Sequence, residues 1–328
     1  MHQVTSATAI GGLDVFAPVR AELGQVEARL ASELNSHWPE VDEILQYGCL
    51  LGGKRLRPAL LLLTAQAAGG VRPNHILLAT VIEMIHTATL VHDDVLDEAQ
   101  MRRHLPTVNA RWGIQTSVLL GDYLFTHAFY LASTTGSAWA CREIGQATNK
   151  VCEGELQQTH SQGRWDLTED EYYAIVDGKT AALTECACRL AAQLSELPTE
   201  TVDQLARYGR HLGRAFQIVD DLLDLEGEEP QVGKSLGTDL QHGKVTLPWI
   251  FCRQQLNGPE LREFQVAWET GDHGRLMGWL RASGGVEASR RVAQQLVESA
   301  IDDLQGLPPS RSRDALRQLA EFVVVRSH

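Results

Sequence analysis

The chain has 328 residues, 44% hydrophobic and 22% charged, which is the balance of a soluble globular protein with one large domain or two ordinary ones. Its formal net charge of −13 argues against a nucleic-acid surface and against general attraction to anionic lipid. The six cysteines (Cys49, Cys141, Cys152, Cys186, Cys188 and Cys252) form no C-x-x-C pair and read as free thiols of a reducing cytosol.

Residues 1–15 read as a loose leader, with no basic stretch before an apolar core, so no secretory signal is expected. Apolar residues then recur at helical spacing from Pro18 to Leu34, and a second helix runs from the Ser36–Pro39 start to Leu50. Gly52-Gly53 breaks it. Arg57-Pro58 opens an apolar helix that ends at Gly69-Gly70, and Pro73 opens a long one to about Met101. Further helices are expected over 114–134, 138–161, 168–193 and 199–225, with Thr168 and Glu171 as a capping box. Residues 226–243 are glycine- and charge-rich and read as a flexible loop; helices at 244–256, 259–269, 285–305 and 311–325 finish the chain. No strand alternation, hairpin signal or internal repeat is visible. The expectation is therefore an all-α chain, one domain over 1–328, built as a bundle of about 12–14 helices around a central cavity. The longest apolar run, Ala59 to Ala68, is interrupted and too short to span a bilayer, so no stable membrane insertion is expected and the chain is placed in the cytoplasm.

Two acidic pentads organise the pattern: Asp93-Asp94-Val95-Leu96-Asp97 and Asp220-Asp221-Leu222-Leu223-Asp224. Both lie in apolar helical stretches, those near 73–101 and 199–225, which read as apolar nearly all round. Residues four apart share a helix face, so Asp93 and Asp97 point one way, as do Asp220 and Asp224. Like charges at that spacing repel, and a hard divalent cation with oxygen ligands would offset the cost. Side by side in a bundle, the two helices would present six carboxylates to one cavity.

Basic clusters supply the counterpart. They are Gly52-Gly53-Lys54-Arg55-Leu56-Arg57-Pro58, Arg102-Arg103, and Lys179-Thr180 together with the loop Gly233 to Asp239 and Gly243-Lys244. Glycines let a backbone approach phosphate, and Lys and Arg give charge-assisted donors; arginine suits a diphosphate. Neither G-x-x-x-x-G-K-[ST] nor G-x-G-x-x-G occurs, which argues against a nucleotide. Carboxylate pentads with phosphate-binding clusters point to a metal-diphosphate enzyme. Glu83-x-x-His86 has the spacing of a di-iron ligand pair, but no second copy exists.

In order along the chain, GGKRLRP, HDDVLDEAQMRR, the Gly121-Asp122 pair, Lys179-Thr180, FQIVDDLLD and GKSLGTDLQHGK resemble the trans-isoprenyl diphosphate synthases, or polyprenyl synthetases, most of all the long-chain octaprenyl type. The resemblance implies head-to-tail condensation of an allylic diphosphate with isopentenyl diphosphate by a homodimer. It implies Mg²⁺ as cofactor, about three ions per active site, held by Asp93, Asp97 and Asp220 with Asp94, Asp221 and Asp224 nearby. It places Arg102, Lys179, Lys234 and Lys244 on the allylic diphosphate, and Lys54, Arg57, His86 and Arg103 on isopentenyl diphosphate. Thr180 and Gln217 would line the region where a carbocation forms. His86 stands where relatives carry Gln. One turn before Asp93 lie Ala88 and Thr89, and further back Ile85, Met84 and Ile82, none aromatic. Short-chain relatives have an aromatic floor there, so the product is expected to reach about C30 to C50. A class I terpene cyclase shares D-D-x-x-D, but a second full pentad and a second basic cluster do not suit one. A non-catalytic partner subunit would lack carboxylates or lysines that are present here.

Overall fold

Prolines and short polar caps start the helices. Pro39 opens α2 (Pro39–Leu50), Pro73 opens α4 (Pro73–Leu96), and Thr107 caps α5 (Val108–Trp112) by accepting the Ala110 N–H at 3.1 Å. The computed structural model describes residues 9–10, 13–50, 55–226 and 237–325. Around these elements lie β1 (Ala9–Ile10), β2 (Leu13–Asp14), α1 (Arg20–Glu33), α3 (Leu56–Ala67), β3 (Met101–Arg102), β4 (Leu105–Pro106) and α6 (Ile114–Thr134). There follow α7 (Ala138–His160), α8 (Glu169–Val176), a π turn (Asp177–Ala181), α9 (Ala182–Leu194) and α10 (Thr199–Glu226). The chain closes with α11 (Thr238–Gln241), α12 (Leu247–Gln254), α13 (Gly258–Thr270), α14 (His273–Ser283), α15 (Gly285–Asp303) and α16 (Arg311–Val325). The all-α expectation holds: the described strands are two-residue pairs.

The fold gathers into two compact units. The first comprises Met1–Thr148, Cys186–Ala206 and Leu304–Leu319. Its centre is α4, where Leu78, Ala79, Val81, Ile82, Met84 and Ile85 are all fully buried. Burial at consecutive positions covers every side of the helix, and each large apolar side chain contributes about 2 kcal/mol. By length and composition α4 could cross a membrane, but 67% of its apolar window is buried inside the protein, so it is a core helix. It packs on α6, and the crossing depends on Gly121: a Cβ there would stand 2.1 Å from His92 Nε2.

The second unit comprises Asn149–Glu185, Arg207–Asp303 and Ala320–His328. Trp249, Phe264, Trp268, Leu276 and Leu280 form a core among α12, α13 and α14. Two glycines bring α7 against the π turn. A Cβ on Gly154 would lie 2.5 Å from Lys179 N, and one on Gly178 would lie 2.6 Å from Lys150 O. The backbones touch, and Asp177 is tied down by Arg210 and Arg214.

The structure departs from the sequence reading at several places. The long helix ends at Leu96, not Met101, because Glu98 turns left-handed at φ 51°. A hairpin, β3–β4, then pairs Met101 with Pro106 and Arg102 with Leu105. Its two tip residues, Arg103 and His104, both have positive φ (51° and 64°), a turn usually signalled by Asn-Gly, so no local cue marks it. The stretch 168–193 is helical but interrupted by the π turn. Helix α14 was not expected, because Gly271, Gly274, Gly278 and Gly284 punctuate it. Finally, α4 is apolar all round but α10 is not: it exposes Arg207 and Arg210. Within the leader, Ala9–Ile10 pairs with Leu13–Asp14, while residues 227–236 of the expected loop lie outside the described residues.

Candidate functional site

The first pentad ends α4. Asp93 is half-buried in the last turn, and Asp97 is the exposed C-cap residue, its N–H donating to the Asp93 carbonyl at 2.8 Å. A helix C-terminus carries partial negative charge, so two carboxylates there repel both each other and the helix end. Asp94 points elsewhere. It is 2% exposed, and Arg102 donates to its Oδ1 from both Nε and Nη2 at 2.8 Å. The hairpin therefore returns Arg102 to the pentad, with Arg103 at the exposed tip next to it.

His86, two turns before the pentad, sits within a basic group. Arg57 Nη1 lies 2.9 Å from His86 Nε2. Arginine can only donate, so Nε2 accepts and the ring is neutral. Desolvation, followed by the charges of Arg57, Arg103, Arg102 and Arg55, holds the His86 pKa well below its ordinary value. Four guanidinium groups from the α3 start, α3 itself and the hairpin thus surround one neutral imidazole. Arg55 has a structural partner set: it adopts φ 54°, pairs with Glu27, and donates to Glu83 Oε1 at 2.7 Å. Glu83, 1% exposed, is the counter-ion of Arg55, so the di-iron reading of Glu83 and His86 has no support. Arg55 was read with its basic run as a phosphate-binding group, but it turns inward to Glu27 and Glu83, and the run held no cue for which of its members would do so. Lys54 of the same run lies outside the described residues.

In the second unit α10 presents Asp220, half-buried, beside a fully engaged neighbour. Asp221, 4% exposed, accepts Tyr172 Oη–H on Oδ2 at 2.6 Å and Gln217 Nε2–H on Oδ1 at 2.8 Å. Gln217 Oε1 in turn accepts the Thr180 hydroxyl at 2.8 Å. Burial, then the charge of Asp239, pushes the Asp221 pKa well above the carboxylate range. Asp224 binds the chain after the loop. Its Oδ1 accepts Thr238 N–H at 3.2 Å and Thr238 Oγ1–H at 2.9 Å, and its Oδ2 accepts Asp239 N–H at 3.1 Å. Lys244 lies 3.9 Å from Asp239, and Lys179 on the π turn pairs with Glu155 at 2.8 Å. Lys234 lies outside the described residues. Glu155 and Tyr172 were not foreseen; both read as ordinary helix residues.

The first unit therefore gathers Arg57, His86, Asp93, Asp94, Asp97, Arg102 and Arg103. The second gathers Lys179, Thr180, Gln217, Asp220, Asp221, Asp224 and Lys244. Among the described residues no group of three or more His, Cys, Asp or Glu forms a complete metal cage. Magnesium needs none: it keeps several waters and takes one or two carboxylates plus substrate phosphate oxygens. The hard oxygen donors of Asp93 and Asp97, and of Asp220, suit that chemistry.

Residues 39–271 match the family model described as Polyprenyl synthetase. The chain belongs to the polyprenyl synthetase family. It is 37% identical over 309 residues to an octaprenyl diphosphate synthase of Escherichia coli (strain K12), covering 93% of this chain and 96% of that protein. A crystal structure of a decaprenyl diphosphate synthase from Rhodobacter capsulatus matches with a TM-score of 0.89 at 36% identity, covering 96% of this chain and 98% of that one. A polyprenyl synthase from Caulobacter crescentus CB15, solved with calcium and isoprenyl diphosphate, matches with a TM-score of 0.87 at 32% identity, covering 96% and 97%. As a polyprenyl synthetase the chain is a prenyltransferase with the all-α fold expected of it, and divalent-metal use is a property of its family.

Proposed function

We propose that this polyprenyl synthetase condenses an allylic diphosphate with isopentenyl diphosphate, head to tail and repeatedly, to an all-trans product of about C30 to C50. The observation that carries the reading is the end of α4, where carboxylates and the arginines around neutral His86 converge within one unit. Arg57, His86 and Arg103, with Lys54, bind isopentenyl diphosphate; Arg102, Lys179, Lys234 and Lys244 bind the allylic diphosphate. Asp93 and Asp97 of the first unit, and Asp220 of the second, would hold Mg²⁺, which would supply neutralisation of the charge on the departing diphosphate. The allylic carbon–oxygen bond ionises, the isopentenyl double bond attacks the allylic carbon, and the leaving diphosphate takes the proton. Apolar walls exclude water from the cation.

Product length rests on α4. Ala88, Ile85, Met84 and Ile82 are fully buried and none is aromatic. On α6, Phe125 stacks on His92 and Tyr123 on His127, which engages two of the aromatic rings that could otherwise block a growing chain. The relatives named above as octaprenyl and decaprenyl synthases support a long product. Labelled isopentenyl diphosphate with several allylic primers tests this: the wild type should give products beyond C20, and Ala88→Phe should shorten them to about C15 to C20 while first-step turnover survives. A wild-type product ending at C20, or an unchanged length in the variant, would refute the assignment. The protein works as a soluble, cytoplasmic homodimer in this reading: Leu119 and Tyr130, three turns apart on α6, are exposed apolar surface for a second copy, and sedimentation measures it.

A further inference from the structure

Asp221 belongs to a pentad, yet both of its oxygens are already bound by the protein. Tyr172 donates to Oδ2 at 2.6 Å and Gln217 to Oδ1 at 2.8 Å, and both Tyr172 and Asp221 are 4% exposed. Gln217 lies one turn before Asp221 on α10, so the two share a face. The chain of hydrogen bonds continues from Gln217 Oε1 to Thr180 on the π turn.

A carboxamide can point either way, because one end donates and the other accepts. Here the choice is made at the far end of the chain. Tyr172 donates to Oδ2 and the amide NH₂ of Gln217 donates to Oδ1, so the amide stands with its NH₂ towards Asp221. Oε1 is thereby turned to Thr180. The Thr180 hydroxyl donates to Oε1, which commits its only proton. Thr180 Oγ1 can then offer only lone pairs to anything else it meets, and Gln217 Oε1 keeps a second lone-pair site. Two oxygens so arranged stabilise an adjacent positive charge; an NH₂ in the same place would oppose it.

We infer that Asp221 and Tyr172 are positioning residues, which fix the polarity of Gln217 and Thr180 so that their oxygens face the developing allylic cation, and that Asp221 is not a metal ligand. The inference rests on the proposed prenyl transfer and adds two residues to it. It also separates Asp221 from Asp220, its neighbour in sequence, since successive helix residues point about 100° apart.

Steady-state kinetics on the full chain test this with Mg²⁺ and each diphosphate varied in turn. Tyr172→Phe keeps the ring and removes one hydroxyl, so the fold should persist. Its kcat should fall about tenfold, with both KM values and the Mg²⁺ half-saturation concentration unchanged within about twofold. Asp221→Asn, which can present an NH₂ to Gln217, should lower kcat about a hundredfold with the same unchanged constants. In a Gln217→Ala background, Tyr172→Phe should produce no further loss, since it acts only through Gln217. Three results would overturn the inference: wild-type kcat in Tyr172→Phe, a raised Mg²⁺ half-saturation with recovered kcat at high Mg²⁺ in Asp221→Asn, or additive losses in the double variant. A wild-type protein that forms no polyprenyl product would overturn the proposed function itself; an active wild type with any of those three results overturns only this inference.

Discussion

The two pentads have the same spelling, D-D-x-x-D, and different physics. In the first, the middle aspartate meets a charge: Asp94 is buried against Arg102, eight residues on. In the second, it meets neutral donors: Asp221 is buried against Tyr172 and Gln217, and burial pushes its pKa up. The last aspartates differ as well. Asp97 is exposed at a helix end, whereas Asp224 is half-buried and holds the backbone at Thr238 and Asp239. What the pentads share is one half-buried leading carboxylate each, Asp93 and Asp220. A repeated motif therefore does not imply a repeated role for every member; burial and partner decide.

The largest expected effect follows from that shared element. Asp93→Ala and Asp220→Ala should each lower Mg²⁺-dependent turnover about a thousandfold, or about 4 kcal/mol, while unfolding free energy changes by less than about 0.5 kcal/mol. Near-native turnover in either variant would remove the equivalence of the leading aspartates. Next comes the difference between the middle ones. Arg102→Ala leaves a buried carboxylate without its cation and should cost about 3 kcal/mol of stability in urea unfolding. Tyr172→Phe removes a neutral hydrogen bond and should cost about 1 kcal/mol. Equal losses, or the reverse order, would break the contrast between charged and neutral partners.

A pH-dependent effect concerns the other end of α4. His75 Nδ1 accepts the Arg72 N–H at 2.9 Å, and burial pushes the His75 pKa down from 6.5 to about 4. Between those values the unfolded chain binds the proton that the folded one refuses. Stability should therefore be complete above pH 6.5 and fall as pH drops towards 4. Compared with the wild type, His75→Asn should flatten that fall by about 1.4 kcal/mol per pH unit. An identical slope in the variant would show that α4 does not hold a neutral histidine at its start.

Much of the helical layout was legible because apolar residues at helical spacing, Pro at helix starts and Gly at helix ends are local signals. Pro73 and the capping box at Thr168 and Glu171 are examples, and the latter forms as read, with Glu171 N–H donating to Thr168 Oγ1 at 3.2 Å. Helix α14 was hidden because its internal glycines mimic loop punctuation, and the β3–β4 turn because Arg103-His104 takes a backbone form normally left to Asn-Gly. The π turn was hidden because an extra residue in a helix changes no local composition, yet it places Lys179 and Thr180.

The sequence by itself determined the helical class, the two pentads, the basic clusters and the family they resemble, since each is a matter of residue type and short spacing. Helical period also set Asp93 with Asp97, and Asp220 with Asp224, on one face as an expectation, but Asp97 is the exposed C-cap and Asp224 is engaged by Thr238 and Asp239. Only the tertiary structure decided which carboxylates are bound by the protein. Asp221 meets Tyr172 across 49 residues of chain, Gln217 meets Thr180 across 37, and Arg55 meets Glu83 across 28. Helical period fixes the face on which a side chain stands, but the partner on that face comes from packing between distant segments, and buried polar groups take their roles from that partner.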